Sequence, residues 1–296
     1  MKKLLFAICC TPLLFAGCKE NDTPINFGSR VPVITTFVAS PVPEAAKRQV
    51  LVEEFTGQTC PNCPTAHAAL DSISAHNPGR VNVVSMYAAL SPQSNPPTGY
   101  TYDLRNAIAL SMANAIYNNI PGLPAAGIDR IPVGGSIIQV GDATWDGIIN
   151  SELAASDSVT LTDTCTYDAA TGKATITVNF TYTQPVSTPQ NLSIVIVEDS
   201  IIDLQEFPNN KDQTYTFRDV FRDMVTAAPS GDVIQVTKGS DAKEAGRSFQ
   251  YVYSNYPLPV VHPAINPAHC RVIAFVNNTN GTDLHIMQSA QCKFAP

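Results

Sequence analysis

The pattern of hydrophobic and polar positions changes near residue 158. From Gln49 to Asp157, β-branched apolar runs alternate with stretches of helix-forming residues. Val50–Phe55 and Val81–Tyr87 are predicted strands, because β-branched and aromatic side chains suit a half-buried pleated surface. Between them, the alanine-rich segment Pro64–His76 is predicted to be a helix. Strands that alternate with helices predict an α/β layer with a mixed sheet.

The remaining elements of this first part are less regular. Leu90–Thr101 contains three prolines and a glycine and is predicted to be a loop. Helices are predicted over Tyr102–Tyr117 and Trp145–Ala155, and a short strand over Ala125–Arg130 lies between them. Ordered structure is predicted to begin with a strand at Val31–Val38.

After Ser158 the pattern is one of strands separated by turns. Seven strands are predicted: Val159–Tyr167, Ala174–Thr183, Leu192–Val197, Val233–Thr237, Ser248–Tyr253, Arg271–Val276 and Leu284–Gln288. The helical spacing of apolar residues in Tyr215–Ala227 predicts one short helix among them. The density of strands predicts an all-β, immunoglobulin-like sandwich over residues 158–296.

The N-terminus has the pattern of a secretory signal. Two lysines precede an apolar run from Leu4 to Ala16, which is too short for a membrane-spanning helix. The ending Ala16-Gly17-Cys18 resembles a lipobox, in which small residues precede a cysteine that receives lipid. We therefore expect a lipoprotein signal at residues 1–17 and a lipid-anchored tether at residues 18–30. An ordinary signal peptide followed by an unmodified cysteine is the alternative.

The residues after Cys18 bear on the location. Lys19-Glu20-Asn21-Asp22 is similar to the signal that directs lipoproteins to the outer surface in Bacteroidetes-type bacteria. A solvated tether is the other interpretation of these charges. Acyl chains on Cys18 would hold the protein firmly to a bilayer, because each buried methylene contributes ~0.8 kcal/mol. The expected location is the outer membrane, with the periplasmic and cell-surface faces both left open.

Composition restricts the class of partner. Apolar residues make up 44% of the chain and charged residues 15%, and the formal net charge is -7. This composition is sufficient for a sizeable core and is usual for exported proteins. Because no cluster of lysine and arginine interrupts the negative charge, nucleic acid is not an expected partner. We expect no cofactor either.

Five cysteines follow Cys18, which is an odd number in a compartment that permits disulfides. Cys270 and Cys292 are nearly symmetric about the predicted turn at Asn280-Gly281, so a disulfide across this hairpin is the first prediction. Cys165 is a competitor for either partner and is otherwise the remaining free thiol.

The candidate chemistry lies at the first junction between strand and helix, in Cys60-Pro61-Asn62-Cys63. Two thiols at this spacing can form a disulfide within one turn, and a helix N-terminus stabilises a thiolate on the first of them. Thiol-disulfide exchange would proceed by attack at Cys60 and resolution by Cys63. A permanent structural disulfide is an equally open alternative. Metal binding by both thiolates with His67 is a third alternative, which we do not expect because a fourth ligand is missing.

The region from Gln49 to Asp157 resembles a thioredoxin-like domain. The resemblance rests on the strand Val50–Phe55, the cysteine pair, Glu54 six residues before Cys60, and Leu123-Pro124 before the later strand. It implies that Glu54 is a buried proton acceptor near the second cysteine and that Pro124 is cis and faces the disulfide. Two departures concern access to the thiols: the family's tryptophan is Thr59 here, and a helical insertion covers Ala88–Asn119.

Residues 52–64, VEEFTGQTCPNCP, resemble the outer-membrane lipoproteins related to Omp28. That family combines a thioredoxin-like domain with a C-terminal β-sandwich, which implies domains at residues 31–157 and 158–296. Two hypotheses follow. The protein is either an oxidoreductase that acts on envelope thiols and disulfides, or a surface binding or assembly lipoprotein with a structural disulfide. Fold alone does not distinguish them.

Overall fold

The computed structural model describes residues 31–295, so the predicted signal sequence and the anchor at Cys18 lie outside the described residues. Strands predominate over helices in the described part. Its first half contains strands β1 (Val33–Val38), β2 (Val50–Phe55), β3 (Val81–Met86), β4 (Ala125–Ile128) and β5 (Gln139–Val140), and helices α1 (Cys63–His76), α2 (Ala107–Met112) and α3 (Trp145–Leu153). Within residues 31–295, no helix is long and apolar enough to span a bilayer.

The second half is built from strands. They are β6 (Val159–Asp168), β7 (Lys173–Tyr182), β8 (Gln190–Glu198), β9 (Ile201–Glu206), β10 (Lys211–Phe217), β11 (Val220–Met224), β12 (Asp232–Val233), β13 (Arg247–Pro257), β14 (Cys270–Asn278) and β15 (Ile286–Lys293). β9 and β10 form a separate antiparallel hairpin.

The helix predicted over Tyr215–Ala227 is wrong. β10 ends and β11 begins in this segment, and Asp219 in the turn between them has φ 55°. The strand register of β11 shifts between Phe221 and Asp223. A turn and a bulge thus interrupt the alternation of two strands, which leaves apolar residues at a spacing that imitates a helix.

One nine-stranded sheet runs through both halves of the chain. Its order is β15-β14-β8-β11-β3-β2-β4-β5, with β12 beside β8. The two halves join where β11 lies parallel to β3, with Val220 opposite Ser85. The predicted boundary at residue 157 therefore divides the chain but does not divide this sheet.

The helices cover both faces of the sheet in the first half. Val50 and Val52 of β2 pack toward α1 and α3, together with Leu70. Leu51 and Phe55, which point to the opposite face, pack toward α2. Because strand β2 is buried on both faces, its sequence is a nearly continuous apolar run interrupted only by two glutamates.

A second sheet has the order β1-β13-β7-β6 and is antiparallel throughout. It packs face to face on the β8, β14 and β15 part of the large sheet. The core between them contains Phe180 and Tyr251 from one sheet and Ile194 and Val272 from the other. Strand β1, although first in the chain, pairs with β13 of the second half.

Candidate functional site

The cysteine pair lies at the junction of β2 and α1. The Sγ atoms of Cys60 and Cys63 are 2.05 Å apart and form a disulfide, with 5.4 Å between their Cα atoms. Pro64 lies in the first turn of α1, where a missing N–H is tolerated. The Cys63 N–H donates to the Cys60 carbonyl at 3.2 Å, which continues the helix into the motif.

The disulfide is buried, since Cys60 is 1% and Cys63 0% exposed. The hairpin β9–β10 covers it from one side. Its Gln205 side-chain amide donates to the Cys60 carbonyl at 3.1 Å, and the Glu206 N–H donates to the Gln58 carbonyl at 2.9 Å. This hairpin comes from about 145 residues later in the chain, so no local sequence signal indicates it.

The loop before α2 covers the motif from another side. The Thr59 hydroxyl lies 2.9 Å from the carbonyl oxygen of Gln93 and 3.1 Å from that of Asn95. Gly57 packs so closely on this loop that an added Cβ would lie 2.1 Å from the Gln93 oxygen. The predicted helical insertion thus begins as an irregular loop that packs against Gly57 and Thr59, next to the cysteine pair in sequence, and its helix α2 starts only at Ala107.

Glu54 is buried on β2 and faces α1. Its Oε2 accepts a hydrogen bond of 2.8 Å from the Ser85 hydroxyl, and its Oε1 lies 3.4 Å from Nε2 of His67. Burial raises the pKa of the Glu54 carboxyl above its usual value, against the opposing effects of His67 and Ser85. The Glu54 carboxyl is therefore protonated more readily than an exposed glutamate.

His67 continues this network to the surface. Its Nε2 lies 2.8 Å from the Thr56 hydroxyl, and its Nδ1 lies 2.7 Å from the hydroxyl of Tyr215 on β10. A small cleft is lined by residues that include Glu54, His67, Tyr215 and Arg218. The cysteines are not among its lining residues, so the cleft leads to the carboxyl and not to the sulfur atoms. Sequence reasoning considered His67 only as part of a metal site that it did not expect, and missed its place beside Glu54.

Pro124 immediately precedes β4, and the Leu123–Pro124 peptide bond is cis. Strand β4 is antiparallel to β2 with Ala125 opposite Phe55, so Pro124 lies beside the start of the loop that carries the cysteines. Pro124 is buried, and its carbonyl accepts a hydrogen bond from Gly141 N–H at 2.8 Å.

A second polar cluster surrounds Arg48, which sequence reasoning did not identify. Ligand atoms of Asp129, Glu152 and His285 lie within 4.8 Å of one another. The Arg48 guanidinium nitrogen lies 2.9 Å from each carboxylate and 2.8 Å from Nε2 of His285. Because a cation already occupies this position, the cluster is suited to hold the arginine and not a metal ion.

The cysteine pairing predicted for the second half is wrong. Cys292 forms a disulfide with Cys165 and links β15 to β6, while Cys270 is a buried free thiol. Two details of the β14–β15 hairpin explain the error. The turn brings Asn280 opposite Asp283, and a bulge follows, so that Val272 and not Cys270 lies opposite Cys292. A residue two places along is ~7–8 Å away, which is too far for a disulfide.

These features define a β-rich protein with a buried CxxC disulfide between a strand and a helix. The sequence model of the family described as "Outer membrane protein Omp28" matches residues 111–294, which is more than half of the chain. The chain therefore belongs to the Omp28 family and is an outer-membrane protein. No curated protein matches it.

Solved structures that are similar to this chain include two proteins of Porphyromonas gingivalis. HBP35 of Porphyromonas gingivalis is 14% identical, with a TM-score of 0.61 over 85% of this chain and 77% of that one. A domain of the outer membrane lipoprotein Omp28 from Porphyromonas gingivalis is 15% identical, with a TM-score of 0.30 over 47% of this chain and 90% of that one. At these identities, the likeness to HBP35 concerns the fold alone.

Proposed function

We propose that this protein is a lipoprotein, anchored to the outer membrane through acyl chains on Cys18, that serves as a binding or assembly component. Its Cys60–Cys63 disulfide is structural. The burial of both cysteines under two segments from distant parts of the chain supports this role. The lipobox-like sequence before Cys18 supports the anchor.

The physical argument is one of access. In thiol-disulfide exchange a thiolate attacks a sulfur atom of the disulfide, and reactive cysteines are accordingly at least partly exposed. Here the attacking group would have to displace Gln205 from the Cys60 carbonyl, or the loop that contacts Thr59. A disulfide enclosed in this way stabilises the junction of β2 and α1.

We also propose that the first half is a thioredoxin-like domain adapted as a scaffold. The arrangement of β3, β2 and β4 between helices, the cysteine pair before α1, and the cis bond before Pro124 support this assignment. The shared sheet supports the scaffold role, since β3 pairs with β11 of the second half.

The second candidate is thiol-disulfide exchange in an opened form of the protein. The buried Glu54, with its raised pKa and its link through His67 to Tyr215, favours it. A substrate dithiol would attack Cys60, Cys63 would leave as a thiolate and take up a proton, and the second substrate thiol would then release Cys60. The substrate ends as a disulfide and the protein as a dithiol, so atoms and electrons balance.

Measurement of the Cys60–Cys63 reduction potential separates the two candidates. The mature protein is equilibrated with dithiothreitol buffers, free thiols are alkylated, and peptides are analysed by mass spectrometry. This procedure reports Cys60–Cys63 separately from Cys165–Cys292. A structural disulfide should have a potential below about −300 mV, and the protein should not reduce insulin.

Insulin reduction that is abolished by Cys60→Ser would overturn the structural assignment in favour of exchange. So would a Cys60–Cys63 potential between about −270 and −120 mV, which is the range of dithiol oxidoreductases. Cys270→Ser serves as the matched control, because it removes a thiol that the structure places away from the cysteine pair, in the core between the two sheets.

A further inference from the structure

Strand β1 exposes an unusual amount of apolar surface. All six of its residues are exposed. Four of them are large and apolar, with exposed fractions of 68% for Val33, 50% for Ile34, 56% for Phe37 and 50% for Val38. A flat apolar edge strand of this kind is a template for pairing with another strand.

The backbone of β1 has one free side. The Ala39 N–H donates to the Gly246 carbonyl at 2.7 Å, next to the last residue of β1. Backbone groups alternate in direction along an antiparallel strand, so odd-numbered residues of β1 bond to β13 and even-numbered residues point away. In the part of the chain that the structure describes, no strand pairs with this outer side, which carries the N–H and C=O groups of Ile34, Thr36 and Val38.

The opposite edge of the same sheet is closed. Strand β6 is held to β15 by the Cys165–Cys292 disulfide. The Tyr167 N–H donates to the Ala295 carbonyl at 2.8 Å, and the Ala295 N–H donates to the Cys165 carbonyl at 3.1 Å. One edge of the sheet is thus protected by its own chain, whereas the β1 edge is left available.

We propose that β1 pairs antiparallel with β1 of a second copy of this chain, with Thr36 opposite the partner's Thr36. In this register Ile34 lies opposite the partner's Val38, and each of these pairs exchanges two backbone hydrogen bonds. A register shifted by two residues in one direction would place Pro32, which has no N–H, opposite Val38. A shift in the other direction would place Ser40, which lies outside β1, opposite Ile34. The outer groups of β1 therefore favour one register.

The chemistry of β1 favours a strand over a lipid surface as the occupant. Its backbone N–H and C=O groups would be unsatisfied in hydrocarbon, where each costs several kcal/mol. The segment VITTFV has no charged residue, and the Arg247 guanidinium that donates to the Thr36 hydroxyl at 3.2 Å is paired with Glu244. Like-charge repulsion between two copies is therefore small. Threonine pairs and pairs of apolar β-branched residues across strands are favourable by ~0.2–1 kcal/mol each.

The geometry is compatible with two anchored copies. The Val31 residues of the pair would lie roughly 34 Å apart, because ten residues separate them along the ribbon at ~3.4 Å each. Residues 18–30, if extended, span up to about 45 Å. Both predicted anchors at Cys18 can therefore reach one bilayer, and confinement there raises the effective concentration of each copy for the other.

Cysteine cross-linking in intact envelopes tests the register. Thr36→Cys, introduced into the full-length chain, should give a disulfide-linked dimer on a non-reducing gel, because directly opposed Cα atoms lie ~5.5 Å apart. Thr35→Cys is the matched control and should remain monomeric, since in this register it faces the partner's Phe37. Co-expression of Thr35→Cys and Phe37→Cys chains should restore the cross-link.

A charge exchange tests the same register through a second pair of positions, with Thr36→Cys cross-linking as the measurement. Ile34→Lys should reduce Thr36→Cys cross-linking at least tenfold, and adding Val38→Glu should restore it, because the new charges then face each other across the dimer. Equal cross-linking at positions 35 and 36, or a folded Thr36→Cys chain that stays monomeric, would overturn the proposal. Protection of position 36 from maleimide without dimer formation would do so too, and would indicate a foreign strand or lipid on β1.

Discussion

The side-chain amide of Gln205 donates a hydrogen bond of 3.1 Å to the backbone carbonyl of Cys60, although 145 positions separate the two residues. The same nitrogen lies 3.3 Å from the Gly57 carbonyl. A side chain of the second half therefore holds the loop that carries the cysteine pair of the first half.

Gln205→Ala should increase the rate at which dithiothreitol reduces Cys60–Cys63. Losing a buried hydrogen-bond donor costs ~1–3 kcal/mol, which corresponds to a factor of about 5 to 150 in the population of the opened loop. Rapid alkylation followed by peptide mass spectrometry measures the rate. Gln250→Ala is the control, because it removes a similar amide bond, to Asn179, on a distant sheet. Equal rates in both variants would contradict the covering role of Gln205.

Gly57→Ala should destabilise the protein by about 1–3 kcal/mol through overpacking. The new Cβ would lie 2.1 Å from the Gln93 backbone oxygen, which cannot move without shifting the loop. Urea denaturation measures the free energy of unfolding. Gly147→Ala in α3 is the control, since its Cβ would meet open space, and it should stabilise the helix by about 0.5–1 kcal/mol. Equal changes in the free energy of unfolding of the two variants would show that the loop at Gln93 moves aside without cost.

Cys165→Ala should lower the free energy of unfolding by about 2–5 kcal/mol, because it removes a disulfide that closes a long loop. It should also leave Cys292 open to alkylation in the unfolded chain. Cys270→Ala should not change the number of disulfides, since Cys270 is a free thiol. A Cys270–Cys292 peptide in a non-reducing digest of the unmodified protein would contradict this pairing.

Asp163→Asn should change how stability depends on pH. Burial raises the pKa of Asp163 to about 7, so between pH 4 and 7 the folded state binds more protons than the unfolded state. The contribution of Asp163 to stability is therefore present below pH 4 and lost as the pH rises through 7, by up to about 1.4 kcal/mol per pH unit.

The asparagine cannot ionise, so the variant should be more stable than the parent at pH 8 and similar to it at pH 4. Thermal unfolding at both pH values measures the difference. An unchanged difference between pH 4 and pH 8 would show that Asp163 does not titrate in this range.

The sequence predicted local elements well where the hydrophobic residues follow one regular spacing, either that of a strand or that of a helix. Val50–Phe55 forms β2 with the predicted bounds, and α1 begins within one residue of the predicted start at Pro64. The start of α2 was predicted five residues too early, because Tyr102 contacts the second half instead of continuing the helix, through the bond of its N–H to Asp203 at 2.6 Å. Errors thus arose where tertiary contacts compete with local preference.

The amino-acid sequence alone determined the spacing of Cys60 and Cys63, the alternation of strands and helices, and the family. These features depend on residues that are neighbours in sequence. The tertiary structure alone decided that the disulfide is buried, that Cys292 pairs with Cys165, and that β1 joins the sheet of the second half. Each of these depends on strand register or on contacts between distant segments, and a shift of one or two residues changes them without altering any local pattern.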